Sequence, residues 1–378
     1  MTGAFEMNAK KTKSANARRN IAASWGRPAI ITKANLFRKS FANWAFNPID
    51  GCSYGCPFCF VPEVSTCHLA PQLSEQGVTS PDGDWGNYQL IRTWDDAQFI
   101  KSLNATWEPL KPDCAPGWRS AILMSSTTDP YQPIAGPNIR GKQLQRDLQR
   151  MRRRALELIL NESSQLVRVL TRSPLASRDF ELFREFGPRL TFGMSLPTLR
   201  EDLIRMYEPN APKASERLKT LHRAKKKGLH VYVVISPIYP DCDESDLRDT
   251  LEAVAALDPI TIFCEPLNVR GGIAARVLNG MCVPSPCALR ALSGEEAWQD
   301  YAFGCLRTVQ VLSEKLGIQE RIHLWPAKSL GDEGMVQRMP DPSGYRAWLD
   351  YWWNRESEWP ACDVYPYHVP NTIPQTGS

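Results

Sequence analysis

Asn47 to Phe60 reads NPIDGCSYGCPFCF, and its cysteines Cys52, Cys56 and Cys59 stand in the spacing CxxxCxxC. Gly51, Ser53, Gly55 and Pro57 between them are small or turn-forming, so the backbone can wrap three thiolates around one compact object. An iron–sulfur cubane has four iron corners, and three thiolates leave one of them without a protein ligand. The competing readings are a zinc site or three buried thiols. Zinc sites bring their ligands in CxxC or CxxH pairs, and no second pair stands at a suitable distance along the chain.

Downstream of this loop, apolar runs recur at Ser120 to Thr127, Leu166 to Arg172, Leu190 to Leu196, Leu229 to Ile235 and Ile260 to Leu267. Each has the length and β-branched content of a buried strand. Helical periods lie between them. Leu144, Leu148, Met151, Ala155 and Leu158 share one face, as do Leu247, Leu251, Val254 and Ala255, and the Lys-rich segment Ser215 to Lys227 stops at Gly228. Strand and helix in alternation predict an α/β fold with a parallel sheet, open or closed as a barrel, whose chemistry sits at the C-terminal ends of the strands.

The remaining organisation is simpler. Residues 1–40 mix Lys, Arg, Ala, Asn and Ser without an apolar period and read as a basic arm; residues 41–270 carry the strand–helix rhythm. Residues 271–378 break it with a Cys/Pro-rich segment, a long helical region and an aromatic tail, and read as an extension covering the barrel. The 378 residues carry 45 Lys and Arg against 41 Asp and Glu, a balance that leaves a nucleic-acid partner open but does not favour it. No stretch approaches the ~20 consecutive apolar residues of a membrane span, and the amino terminus has no apolar export region, so the expectation is no membrane and a cytoplasmic protein. Eleven cysteines in such a chain read as thiols or metal ligands.

The CxxxCxxC loop resembles the signature of the radical S-adenosylmethionine (SAM) superfamily, and the segments around it resemble its spore photoproduct lyase-like branch. The matching pieces are SSTTDPYQPI (Ser125 to Ile134), LTRSPLASRDFELF (Leu170 to Phe183), MSLPTLREDLIRMYEPNAP (Met194 to Pro212) and VVISPIYPD (Val233 to Asp241). The resemblance implies a partial (β/α)6 barrel and a [4Fe-4S] cluster on Cys52, Cys56 and Cys59. It also implies SAM held on the open iron through its amino and carboxylate groups, and an electron donor such as a flavodoxin or ferredoxin. Carried over position by position, Ser125, Ser126, Thr127, Thr128 and Asp129 would face the methionine or ribose part of SAM, Arg172 its carboxylate, and Ser195 a further polar edge. The strand end at Ile235 to Pro237 would border the adenine.

Two positions depart from the lyases themselves. Where the resemblance places a cysteine hydrogen donor this chain has Ser126, and where it places tyrosines around the third cluster cysteine it has Phe58 and Phe60. Both changes strike the hydrogen-return step of DNA photoproduct repair, so the expected substrate is another organic molecule, with lesion repair as the alternative. A non-catalytic metal- or nucleic-acid-binding module is the contrasting class. Secondary candidates are Cys282, Cys287 and Cys305 for a second cluster, and Glu265 and Asn268 for substrate hydroxyls. Cys67 and His68 lie near the loop. The aromatic tail supplies Trp325, Tyr351, Trp352, Trp353 and Trp359, and basic runs at Arg150 to Ala155 and Arg223 to Gly228 complete the set.

Overall fold

The five apolar runs form five neighbouring parallel strands. The computed structural model describes residues 20–34, 42–106, 121–134 and 139–355. Its strands are β1 Ile21–Pro28, β2 Ile31–Lys33, β3 Trp44–Phe46, β4 Ile49–Asp50, β5 Tyr88–Thr93, β6 Ala121–Met124, β7 Leu166–Thr171, β8 Leu190–Ser195, β9 His230–Ile238, β10 Ile262–Pro266 and β11 Ile322–Leu324. One sheet runs β11-β10-β9-β8-β7-β6-β3-β2. Its members from β3 to β11 are parallel, and β2 adds an antiparallel edge. Strands covered on both faces need no polar side, which is why they read as continuous apolar runs.

Helices Ile139–Glu162, Ala214–Lys226 and Glu244–Ala255 fall in the β6–β7, β8–β9 and β9–β10 crossovers, where the periodicity places them. Gly228, at φ +79°, follows the second of these helices in the left-handed region that a side chain resists. Alternate strand residues divide the sheet into two faces. Val167, Val169, Phe192, Met194, Val231, Val233, Ile262 and Ile322 pack in the main helix-covered core. The intervening positions, among them Leu123, Tyr232, Val234 and Phe263, form separate clusters on the other face. That inner face leads at its C-terminal edge to the cysteine loop.

A second, three-stranded sheet of order β1-β5-β4 supports that loop. Arg92 clamps Asp50 with two bonds, Nε to Oδ2 at 2.7 Å and Nη2 to Oδ1 at 2.8 Å, and both side chains are nearly buried. A bidentate pair of this kind fixes direction as well as distance.

Two boundaries differ from the sequence expectation. Within the segment read as a basic arm, residues 21–33 form β1 and β2. β1 is held by six register pairs to β5, and only Trp25 of it is buried, so it carries no apolar period to see. The rest of the arm that precedes Asn20 or spans 35–40 lies outside the described residues, as does Trp359. The extension also does more than cover the barrel, since β11 extends the main sheet beside β10. No helix among the described residues is long and apolar enough to cross a membrane.

Candidate functional site

The chain leaves β3, pairs briefly through β4, and then turns through the cysteine loop. Cys52 and Cys56 are buried, Cys59 is half-buried, and all three are free thiols. Gly51 (φ +85°) and Gly55 (φ +51°) make the turn possible: a Cβ on Gly51 would collide with the Tyr88 carbonyl, and one on Gly55 would come within 2.7 Å of Gly86 Cα.

Side chains from distant segments hold the loop. Gln132 Nε2 donates to the Gly51 carbonyl at 3.0 Å, its Oε1 accepts from Ser53 N at 2.7 Å, and Gln89 Nε2 donates to the same Oε1 at 2.8 Å. Thr128 Oγ1 donates to the Gly51 carbonyl at 2.7 Å. Asn47 Oδ1 accepts from the backbone N–H of Ser126 at 2.9 Å and of Thr127 at 3.2 Å, tying the start of the loop to the end of β6. Buried backbone groups need such partners, and here they also fix where the thiols stand.

Beside the thiols lies a buried charge network. Glu208 is fully buried; its Oε2 accepts from Arg172 Nε at 2.7 Å, and its Oε1 accepts from Arg217 Nη1 at 2.9 Å and Tyr239 Oη at 2.7 Å. Cys56 Sγ stands 4.0 Å from Oε2. Burial works to raise the Glu208 carboxyl, but Arg217 and Arg172 outweigh it and hold it below the usual carboxylate range. Burial likewise opposes the Arg172 charge, and Glu208 overcomes that to hold the guanidinium above its ordinary value. A fully buried carboxylate such as Glu208 needs this many partners to persist.

Burial pushes all three thiols up, Cys59 to about 12; the Asp129 charge adds to this at Cys52 and neighbouring thiols add to it at Cys56 and Cys59, while Arg172 favours the charged form of all three. Thiolates cannot accumulate here without a cation to receive them, and metal binding would release their protons. Among the described residues no three His, Cys, Asp or Glu side chains are arranged to hold a single metal ion. A cubane asks for a different spacing, because each thiolate takes a separate corner. Three unpaired thiols on one loop, with a guanidinium nearby to offset negative charge, fit such a cluster.

The strand ends continue the site along the sheet. Ser195 Oγ donates to the Ser236 carbonyl at 3.0 Å, Arg172 Nη2 approaches the same carbonyl at 3.5 Å, and Ser236 Oγ donates to Glu265 Oε2 at 3.0 Å. Polar groups from the ends of β7, β8, β9 and β10 thus form one row. Ser125, at the end of β6, has φ +69°, and its buried Oγ has no partner. An orphaned hydroxyl on a strained residue is where a bound ligand would supply the missing hydrogen bond.

No family model matches the chain. ORF301, an uncharacterised protein of Acidianus two-tailed virus, is 30% identical to it over 234 residues, covering 60% of this chain and 68% of that protein. The chain belongs to the family of ORF301. MJ0683, an uncharacterised protein of Methanocaldococcus jannaschii, is 24% identical over 222 residues, covering 59% of this chain and 68% of its own. Among solved structures, a point variant of spore photoproduct lyase matches 80% of each chain with a TM-score of 0.53 at 12% identity. The fold is therefore the partial barrel found in that lyase. A double mutant of that lyase has been solved with AdoMet and a dinucleoside spore photoproduct bound.

Within the ORF301-like chain, the residues singled out by sequence fall into two groups. Cys52, Cys56, Cys59, Ser125, Arg172 and Ser195 come together around the loop and strand ends. Ser126, Thr127, Thr128 and Asp129 join them, but their side chains bond to the protein. Thr127 Oγ1 donates to Asn47 at 3.1 Å, and Ser126 Oγ accepts from Asn47 Nδ2 at 3.2 Å. Asp129 accepts from Tyr131 N, Thr171 Oγ1 and Arg172 N at 2.7 to 2.8 Å.

Of the secondary candidates, Glu265 joins the strand-end row through Ser236. Cys282 and Cys287 are exposed, and Cys305 is half-buried on helix Glu295–Lys315. Cys67 is exposed with its thiol on the Glu63 carbonyl. Asn268 Oδ1 caps the backbone of Arg270. The run at Arg150 to Ala155 is largely spent on ion pairs: Arg152 and Arg153 with Asp179, and Arg154 with Asp96. Trp325 packs beside Phe263 and His323, Trp352 is buried, and Tyr351 is exposed.

Sequence reasoning did not single out Asn47, Gln132, Glu208 or Arg217 as site residues. Asn47, Gln132 and Glu208 lie inside the quoted motif segments, which was the available signal; Arg217 lies five residues beyond Pro212.

Proposed function

We propose that this chain is a radical SAM enzyme that holds a [4Fe-4S] cluster on Cys52, Cys56 and Cys59 and modifies an organic substrate, a small molecule or biosynthetic intermediate. The observation that carries the reading is the loop itself: three free thiols, two of them buried, at the C-terminal edge of a parallel sheet beside the Arg172–Glu208 pair. When bound, the cluster supplies the electron that breaks a carbon–sulfur bond of SAM, giving a 5′-deoxyadenosyl radical or, in a less usual branch, a 3-amino-3-carboxypropyl radical.

The protein's own share is binding and orientation. Arg172 spends Nε on Glu208 and turns Nη2 toward the Ser236 carbonyl at 3.5 Å, and its remaining N–H donors suit the carboxylate of the cofactor. Ser125 offers an unpartnered hydroxyl, and Ser195 presents its oxygen at the end of β8, on the far side of β7. Ser126, Thr127, Thr128 and Asp129 complete this wall and keep the loop in place. A small acidic reductant such as a flavodoxin or ferredoxin would deliver the electron.

The test is anaerobic reconstitution with iron and sulfide, reduction with dithionite, and mass spectrometry of SAM products. Formation of 5′-deoxyadenosine or methylthioadenosine by the wild type and not by Cys56→Ala supports the reading. Absence of both products from an iron-loaded wild type refutes it.

The fold likeness to spore photoproduct lyase favours one second reading, repair of a DNA photoproduct. Ser126, hydrogen-bonded to Asn47, and the ring of Phe58 against Tyr239 oppose it, since neither side chain gives up a hydrogen atom readily. Conversion of irradiated thymine-containing DNA would decide for repair.

A further inference from the structure

The strongest unassigned contact to the cysteine loop comes from outside the core barrel. Helix Ile273–Gly280 follows β10, and residues 272, 276 and 280, spaced four apart, occupy one stripe of it. All three meet the loop or the turn of helix that follows it. Gly272 N donates to Glu63 Oε1 at 2.8 Å, and a Cβ on Gly280 would sit 3.1 Å from Pro57 Cγ. Between them Arg276 donates from Nε to the Pro57 carbonyl at 3.0 Å and from Nη2 to the Cys59 carbonyl at 2.6 Å. Its Nη1 pairs with Glu63 at 3.2 Å and also with Asp82.

We propose that Arg276 is a positioning residue for the iron–sulfur cluster, a fork that fixes the backbone on either side of Phe58 and so sets where the Cys59 thiolate stands. The role rests on the radical SAM reading of the loop. Its logic is geometric. The Pro57 and Cys59 carbonyls flank the last turn of the motif, and one planar group with donors on adjacent edges satisfies both while two carboxylates hold the group itself in place. A lysine supplies the charge without the fork, and a glutamine supplies donors without charge or reach. The helix carrying Arg276 belongs to the extension, so that segment is part of the cluster's support as well as of the sheet.

The experiment compares wild type, Arg276→Lys and Arg276→Gln, each purified anaerobically and reconstituted. Iron loss to a chelator, the electron paramagnetic resonance spectrum of the reduced cluster, and thermal unfolding of the apoprotein are read on the same preparations. Both variants should lose iron about tenfold faster than wild type, the scale seen when a group supporting metal ligands is removed. Their reduced spectra should be altered, while their apoproteins unfold with the wild type. Wild-type retention and spectrum in both variants overturns the role, and so does iron loss matched by an equal loss of apoprotein stability. A wild type that takes up no iron overturns this role together with the reading beneath it.

Discussion

Replacing Glu208 by alanine strands two guanidinium groups that share its carboxylate. Arg217 is fully buried, and after the change it keeps only carbonyl partners, Pro212 at 2.9 Å and Ser195 at 3.1 Å. Arg172 is partly exposed and can recover some water. Removing one member of a buried ion pair costs roughly 3–5 kcal/mol, and the rehydration open to Arg172 places this case near 3 kcal/mol. At roughly 2 °C per kcal/mol for a chain longer than 250 residues, the apoprotein's unfolding midpoint should fall by about 6 °C. Differential scanning fluorimetry under reducing conditions reads this directly. Glu208→Gln keeps the shape and one acceptor and should fall less. A midpoint for Glu208→Ala within about 1 °C of wild type would mean that the network contributes nothing, and the reasoning fails.

Two further outcomes follow from single residues. Burial beside Arg355 and Arg168 depresses His323 from 6.5 to about 4, so the unfolded chain binds the extra proton first as pH falls. Stability should therefore decline as pH drops from 6.5 toward 4, by up to about 3 kcal/mol from this group. His323→Phe should flatten that decline in denaturant titrations; an unchanged slope contradicts it. Gly51→Ala combines a left-handed φ with a clash against the Tyr88 carbonyl, whereas Gly187→Ala meets the left-handed φ alone, with nothing within 4 Å. Gly187→Ala should cost about 1–2 kcal/mol and Gly51→Ala clearly more; equal urea midpoints would refute the claim that β5 abuts the loop.

The barrel strands were legible because parallel strands buried on both faces cannot alternate, and runs such as LVRVLT and LTFGMS announce themselves. β1 and β11 were not. IAASWGRP contains Gly and Pro with one buried side chain, and its strand state depends on pairing with β5, 67 residues away. IHL is three residues long and gains its partner only when β10 is in place. At the site, the cysteines were legible because their spacing is local, three within eight residues of one loop. Gln132, Glu208 and Arg276 act across 79, 152 and 217 residues, and no local pattern encodes such distances. Thr128 and Asp129 show the converse: hydroxyl and carboxylate at a strand end suggest ligand contact, while the structure spends them on the loop and on β7.

The most direct test of the account is the reduced-state electron paramagnetic resonance spectrum of the reconstituted protein, with and without SAM, in wild type and in alanine variants of Cys52, Cys56 and Cys59. The account predicts about four irons per chain, a cubane signal that SAM perturbs because one iron is open to it, and loss of that signal in each variant. A wild type without iron, or a cluster signal indifferent to SAM and to the cysteines, would contradict it.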